Sequence, residues 1–131
     1  MDKKALLEAA IAARLKAYAP YSRFAVGAAL LGKSGRVYLG CNVENISYGL
    51  TQCAERNALA TAVAAGERAF ESVTIVADTE LPISPCGACR QVMAEFEADL
   101  EIVSATLSGR SETFRLGQLF PRAKTGILDT K

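Results

Sequence analysis

Three cysteines and the lack of any histidine are what most constrain this chain. Cys53 opens the run Cys53-Ala54-Glu55, and Cys86 and Cys89 form the C-x-x-C of Pro85-Cys86-Gly87-Ala88-Cys89. A helix start brings both sulfurs of such a pair to one side, and thiolates are soft ligands that suit zinc. With Cys53 as the third ligand, a tetrahedral site keeps one position open for water, the coordination of a catalytic zinc. No histidine occurs in the 131 residues, so a zinc site here is made of cysteine or carboxylate.

Disulfides are the other use for cysteines. The N-terminal stretch MDKKALLEAAIAARL starts charged and lacks a long apolar core. No segment approaches the ~20 apolar residues of a membrane span. The expectation is a cytoplasmic protein with no membrane partner, in a compartment that keeps thiols reduced. Fifteen basic and fourteen acidic side chains are spread along the sequence, for a net charge of +1. Gripping a polynucleotide calls for a basic stripe or tail, because neutralised phosphates supply most of the affinity. None is visible, so the expected ligand is small and weakly charged rather than a nucleic acid. Half the residues are hydrophobic, and no linker or repeat divides the chain, which implies a single domain over residues 1–131.

The pattern along the chain gives an α/β layered domain with a mixed sheet. Lys3 to Ala17 reads as a helix with Leu7, Ile11 and Leu15 on one side, ended by Pro20. Phe24 to Leu31 and Arg36 to Cys41 read as strands joined through Lys33-Ser34-Gly35, a hairpin. Cys53 to Ala65 is helical and closed by Gly66; Ser72 to Ala77 is a strand, Gly87 to Glu97 a helix and Leu100 to Leu107 a strand. The tail beyond is weakly patterned. The unbroken apolar run Val73–Val76 predicts a sheet covered on both faces.

Both cysteine clusters thus fall at helix starts. Three thiolates around Zn²⁺ leave a net charge of −1, which blunts the metal's power to acidify water. Helix N-termini carry partial positive charge and N–H donors that offset this excess. Arg56, three residues beyond Cys53, is a candidate donor to the thiolates, and Arg90 is a second, with a surface role as its alternative. Glu55 diverges from the direction of Cys53 by two helical steps and can stand beside the open position as a proton carrier. Alone it would be a solvated helix glutamate. Beside the cysteine triplet it matches the described signature of zinc deaminases.

Over most of its length the sequence resembles the zinc-dependent cytidine deaminases, in their small, homotetrameric, three-cysteine form. The resemblance rests on YAPYSRFAVGAAL at 18–30, GCNVEN at 40–45, SYGLTQCAERNAL at 47–59 and SPCGACRQV at 84–92. It implies a three-layer α-β-α fold and one Zn²⁺ per subunit on Cys53, Cys86 and Cys89, with water as the fourth ligand. Glu55 is then the catalytic proton shuttle in the hydrolysis of cytidine and 2′-deoxycytidine to uridine, 2′-deoxyuridine and ammonia, a reaction of pyrimidine salvage. The resemblance also implies that Asn42 and Glu44 bind the ribose hydroxyls, that Phe24 packs against the base and that backbone groups of Ala54 read the base edge. For Asn42 and Glu44 the competing reading is turn residues after a strand, and for Phe24 a core phenylalanine. Tyr48 is implied to contribute across a subunit interface.

One stretch departs from the family. An aromatic is expected shortly after an L-L-P motif near the C-terminus, whereas Leu119-Phe120-Pro121-Arg122-Ala123 leads to Lys124. Ile127 or Leu128 is the substitute, or the pocket is more open. This keeps a deaminase of modified cytidines or of cytosine-nucleoside antibiotics as an alternative. Cys41 reads as a small buried hydrophobe. It also permits a rival in which four cysteines close a structural zinc site without catalysis.

Overall fold

Helix α1 (Lys3–Arg14) begins the computed structural model, which describes residues 1–124. Asp2 caps it, its carboxylate accepting the N–H of Ala5 at 2.8 Å. The buried face of α1 is Leu6, Ala10 and Ala13, not the line through Leu7, Ile11 and Leu15. Leu7 and Ile11 are half-buried and Leu15 is 78% exposed. Small residues turn inward because the helix lies directly on the sheet: a Cβ at Gly27 would sit 2.1 Å from the carbonyl oxygen of Ala10. The helix also ends at Arg14, before the expected Ala17. Lys16 and Ala17 bond three residues back, in tightened turns, and Tyr18 N–H is drawn to the carbonyl of Asn42 at 3.0 Å.

Strands β1 (Val26–Gly32) and β2 (Val37–Cys41) form the expected antiparallel hairpin, with Gly35 at φ +92° in its turn. After a 3₁₀ turn at Tyr48–Leu50 come α2 (Ala54–Ala64), β3 (Phe70–Ala77), α3 (Gly87–Ala94) and β4 (Glu101–Thr106). The chain then adds β5 (Ser111–Arg115) and the short α4 (Leu116–Leu119). The sheet order is β2-β1-β3-β4-β5, with β3 and β4 parallel and the other pairs antiparallel. Mixed pairing follows from the connections: tight turns join the hairpin strands, whereas α3 carries the crossover between the parallel pair.

Two cores flank the sheet. Leu6 and Ala10 of α1 pack on Ala29, Leu31 and Val76. On the opposite face, Ala54, Ala58 and Ala62 of α2 and Cys89, Met93 and Ala94 of α3 pack on Val26, Ala28, Val73 and Ile75. This is the expected three-layer arrangement, and it explains why every residue of β1 is buried. The weakly patterned tail forms a strand and a short helix that its sequence does not announce. In β5 only Phe114 is even half-buried, so an edge strand formed mostly of polar residues leaves little apolar alternation to read.

Candidate metal centre

The site is assembled where α2 and α3 start on the same face of the sheet. Cys53 and Cys86 are the residues that precede these helices, each extended (φ −73°, ψ 157° and φ −67°, ψ 168°). Extended cap geometry swings the side chain across the open helix end, where N–H groups lack intrahelical partners. At α3 the Cys89 N–H donates to the Cys86 sulfur at 3.5 Å. The sulfurs of Cys53 and Cys86 are 3.9 Å apart, and those of Cys53, Cys86 and Cys89 all lie within 4.8 Å of one another. A Zn–S bond of ~2.3 Å at tetrahedral angles separates sulfurs by ~3.8 Å, so the donor set fits zinc in number, softness and spacing. Cys41 is outside this group, and its thiol is half-buried beside a separate small cavity under the C-terminal end of α1. Its carbonyl instead accepts from Asn57 Nδ2 at 2.8 Å. The described residues therefore bring together three cysteines, not the four of a closed structural site.

Glycine at position 40 sets the depth of α2. A Cβ there would meet the Ala54 carbonyl oxygen at 2.3 Å and the Ala58 nitrogen at 2.4 Å. With only hydrogen at that point, the first turn of α2 rests on β2, Ala54 is fully buried and Glu55 is only 5% exposed. Burial pushes the Glu55 carboxyl above its ordinary range, and the negative charge of Cys53 adds to that push. Arg56 comes back over the cap, its Nη2 donating to the Cys53 sulfur at 3.3 Å and to the Thr51 carbonyl at 3.4 Å. Donation from Cys89 and from Arg56 holds the Cys53 thiol down at about 5, against the opposing effect of its burial. Cys89, as the donor of that pair and a buried thiol, is pushed up.

Arg90 does not join the thiolates. Its Nε donates to the Pro85 carbonyl at 2.8 Å, Nη1 to the Leu119 carbonyl at 2.9 Å and Nη2 to Ser84 Oγ at 3.3 Å. It ties the loop before Cys86 to the end of α4.

A cavity of about 380 Å³ adjoins the cysteines, with Cys53, Cys86 and Glu55 in its lining. Phe24, Asn42, Glu44 and Ala54, the four expected substrate residues, all line it. Phe24 is 40% exposed and so is a wall of the cavity, not a core residue. Asn42 is buried: its Oδ1 accepts from Val26 N–H at 2.8 Å and its Nδ2 donates to the Phe24 carbonyl at 2.7 Å. Glu44 Oε1 accepts the N–H groups of Tyr21 and Ser22 at 3.0 and 3.1 Å, and Oε2 accepts the Ser22 hydroxyl. That hydroxyl holds the Glu44 carboxyl below the usual range, with help from the two amides. Sequence reasoning missed Ser22, Val26, Thr51, Ile83 and Ser84 as lining residues. Ser22 lay inside the quoted YAPYSRFAVGAAL, but nothing local in that run marks a hydroxyl as facing a pocket.

Tyr48 is 69% exposed, edge-on to Tyr21 with ring centroids 6.0 Å apart, and does not line the cavity of its own chain. Lys124, where an aromatic was expected, pairs on the surface with Glu95 at 3.6 Å. Ile127 and Leu128 lie outside the described residues.

Known proteins match this arrangement. Residues 1–105 fit the sequence model of the family described as the cytidine and deoxycytidylate deaminase zinc-binding region. The cytidine deaminase of Halalkalibacterium halodurans is 52% identical over 126 residues, 95% of this chain and 96% of that protein. That of Sporosarcina psychrophila is 48% identical over 94% of this chain and 91% of its own. The crystal structure of cytidine deaminase from Burkholderia pseudomallei superposes with a TM-score of 0.90 at 54% identity, covering 92% of this chain and 98% of that one. A match over this much of both chains, with the three cysteines gathered at one point, places the protein in the zinc-binding cytidine and deoxycytidylate deaminase family.

Proposed function

We propose that this protein hydrolyses cytidine and 2′-deoxycytidine to uridine and 2′-deoxyuridine with release of ammonia, a step of pyrimidine salvage. One observation carries the reading: the buried Glu55 lines the 380 Å³ cavity together with Cys53 and Cys86, two members of the three-thiol cluster. That volume falls in the range of small-molecule sites, ~300–1,000 Å³.

Cys53, Cys86 and Cys89 hold one zinc per chain in this reading, and zinc supplies the Lewis acidity that makes water nucleophilic near neutral pH. The other steps belong to the chain's own groups. Glu55 takes a proton from the attacking water and passes it to N3 of the pyrimidine, as zinc deaminases do in general. Protonation at N3 draws electrons from C4, where the new C–O bond forms. Glu55 then carries the second proton to the exocyclic nitrogen as the C4–N bond breaks, and ammonia leaves with that electron pair. A carboxyl raised by burial suits both directions of transfer, because a pKa nearer the working pH both accepts and returns a proton. Arg56 offsets the charge of the thiolates through Cys53.

Further along the cavity, Phe24 packs against the base and Ala54 reads its edge. Ala54 is the first residue of α2, so its N–H has no partner inside the helix. Asn42 and Glu44 take the ribose hydroxyls. Asn42 keeps one lone pair and one N–H beyond those it gives to the backbone, and Glu44 Oε2 has a single partner.

The enzyme acts as one domain over residues 1–131 and assembles as a homotetramer. Exposed apolar side chains at Ile46, Tyr48 and Leu50, which lie between the cavity-lining Glu44 and Thr51 in sequence, favour a neighbouring subunit there. The cytoplasm is its compartment, where thiol ligands stay reduced; no described helix is long and apolar enough to cross a membrane. Ammonia release from the zinc-loaded protein, measured with cytidine, deoxycytidine, cytosine and modified analogues, tests the function. Turnover of the first two is expected, at a four-subunit mass by light scattering. A zinc-replete protein that releases no ammonia from cytidine overturns the activity, and an active monomer overturns the assembly.

A further inference from the structure

We infer that Ser22 is a positioning residue for the sugar, orienting the Glu44 carboxylate through its hydroxyl. The inference rests on the nucleoside reading just given, and adds a residue to it. Ser22 lines the cavity, and its Oγ stands between two groups that face it from different segments. Phe24 N–H donates to Ser22 Oγ at 3.0 Å, and Ser22 Oγ contacts Glu44 Oε2. A hydroxyl has one proton and two lone pairs. With a lone pair taken by the amide of Phe24, and an ionised carboxylate unable to donate, the hydroxyl proton is directed at Oε2.

The two oxygens of Glu44 therefore differ. Oε1 is occupied by the backbone N–H groups of Tyr21 and Ser22, which anchor the carboxylate. Oε2 has Ser22 Oγ alone, and its remaining lone pair is the one left for a sugar hydroxyl. What Oε2 and the second lone pair of Ser22 Oγ offer is acceptors only. Glu44 Oε2 and Ser22 Oγ accordingly take a free sugar hydroxyl as donor.

The backbone is held in an unusual form to achieve this. Arg23, between Ser22 and Phe24, has φ +60°, a left-handed conformation that bulky residues rarely adopt. The Phe24 N–H to Ser22 Oγ bond bridges that residue. Phe24 itself has an independent anchor, since Asn42 Nδ2 holds its carbonyl at 2.7 Å. Loss of the Ser22 hydroxyl consequently falls on Glu44 and the sugar more than on Phe24 and the base.

The test is steady-state kinetics of Ser22→Ala and Ser22→Thr on cytidine and on 2′,3′-dideoxycytidine, which lacks both ring hydroxyls. Ser22 is exposed, so neither change disturbs a packed core. For Ser22→Ala, KM for cytidine should rise about tenfold with kcat within about twofold, as expected when a charge-assisted hydrogen bond that serves binding is removed. On dideoxycytidine the same variant should lose less than about threefold, and Ser22→Thr, which keeps the hydroxyl, should restore KM on cytidine. Equal losses on both substrates, a loss confined to kcat, or no loss at all each overturns the role of Ser22. The wild-type protein run alongside separates the two readings: its failure on cytidine removes the activity itself, whereas activity without the sugar-dependent pattern removes only Ser22.

Discussion

The starts of α2 and α3 are built alike and serve differently. Each is preceded by an extended cysteine, each points at the same cluster, and each carries an arginine within its first turn or so. At α2 the absence of a side chain on Gly40 lets the helix settle onto β2, which buries Glu55 and leaves Arg56 to reach the Cys53 sulfur. At α3 nothing lies within 4 Å of a Cβ built on Gly87 and Cys86 is exposed, so the helix end itself is seated less deeply, although Cys89 one turn in is fully buried. Arg90 finds the carbonyls of Pro85 and Leu119 and the hydroxyl of Ser84, and turns from the thiolates to them. Depth of seating is the difference. The start of α2 buries a carboxyl close to its cysteine, while that of α3 supplies two of the three thiols, Cys89 among them fully buried, and an anchor in Arg90.

Removing a ligand from the shallow start is expected to have the largest effect. Cys89→Ala should lose stoichiometric zinc and turnover together, whereas Cys41→Ser, outside the cluster, should keep both; metal analysis of the purified variants distinguishes them. Zinc loss on Cys41→Ser alone would restore the four-cysteine site and undo the comparison. At the deep start Glu55→Gln separates chemistry from binding. It should keep one zinc per chain and lower kcat by at least about 10²–10⁴-fold, the usual range for general acid–base groups.

The two arginines sharpen the contrast at smaller magnitude. Arg56→Gln should reduce activity or zinc affinity by about 10–100-fold, as changes to groups that bond metal ligands do. Arg90→Gln should mainly lower unfolding stability, by about 2 kcal/mol for the hydrogen bonds lost, with kcat near wild type. Identical kinetic and stability profiles for the pair would mean that seating depth does not divide their roles. At the far end of α3, Lys124→Ala breaks only an exposed ion pair with Glu95. Chemical denaturation should detect less than about 0.5 kcal/mol.

Much of this was legible from residues alone. Three cysteines without histidine named the metal chemistry, the apolar run in β3 called for a sheet covered on both sides, and the quoted motifs brought Phe24, Asn42, Glu44 and Ala54 to one cavity. The inward face of α1 was not legible. Hydrophobicity favoured Leu7, Ile11 and Leu15, but Gly27 made close approach the stronger demand, and Ala10 meets it where leucine cannot. β5 escaped because an exposed edge strand needs apolar residues on only part of one face.

Sequence by itself determined which atoms are present to bind a soft metal and move a proton, since ligand softness and acid–base character belong to residue type. Tertiary structure alone decided what each does. Burial of Glu55, the turn of Arg90 away from sulfur and the Ser22 hydroxyl beside Glu44 depend on how segments distant in the chain approach one another. Desolvation and hydrogen bonding act over a few ångströms, and a sequence fixes such distances only after the sheet has brought its segments together.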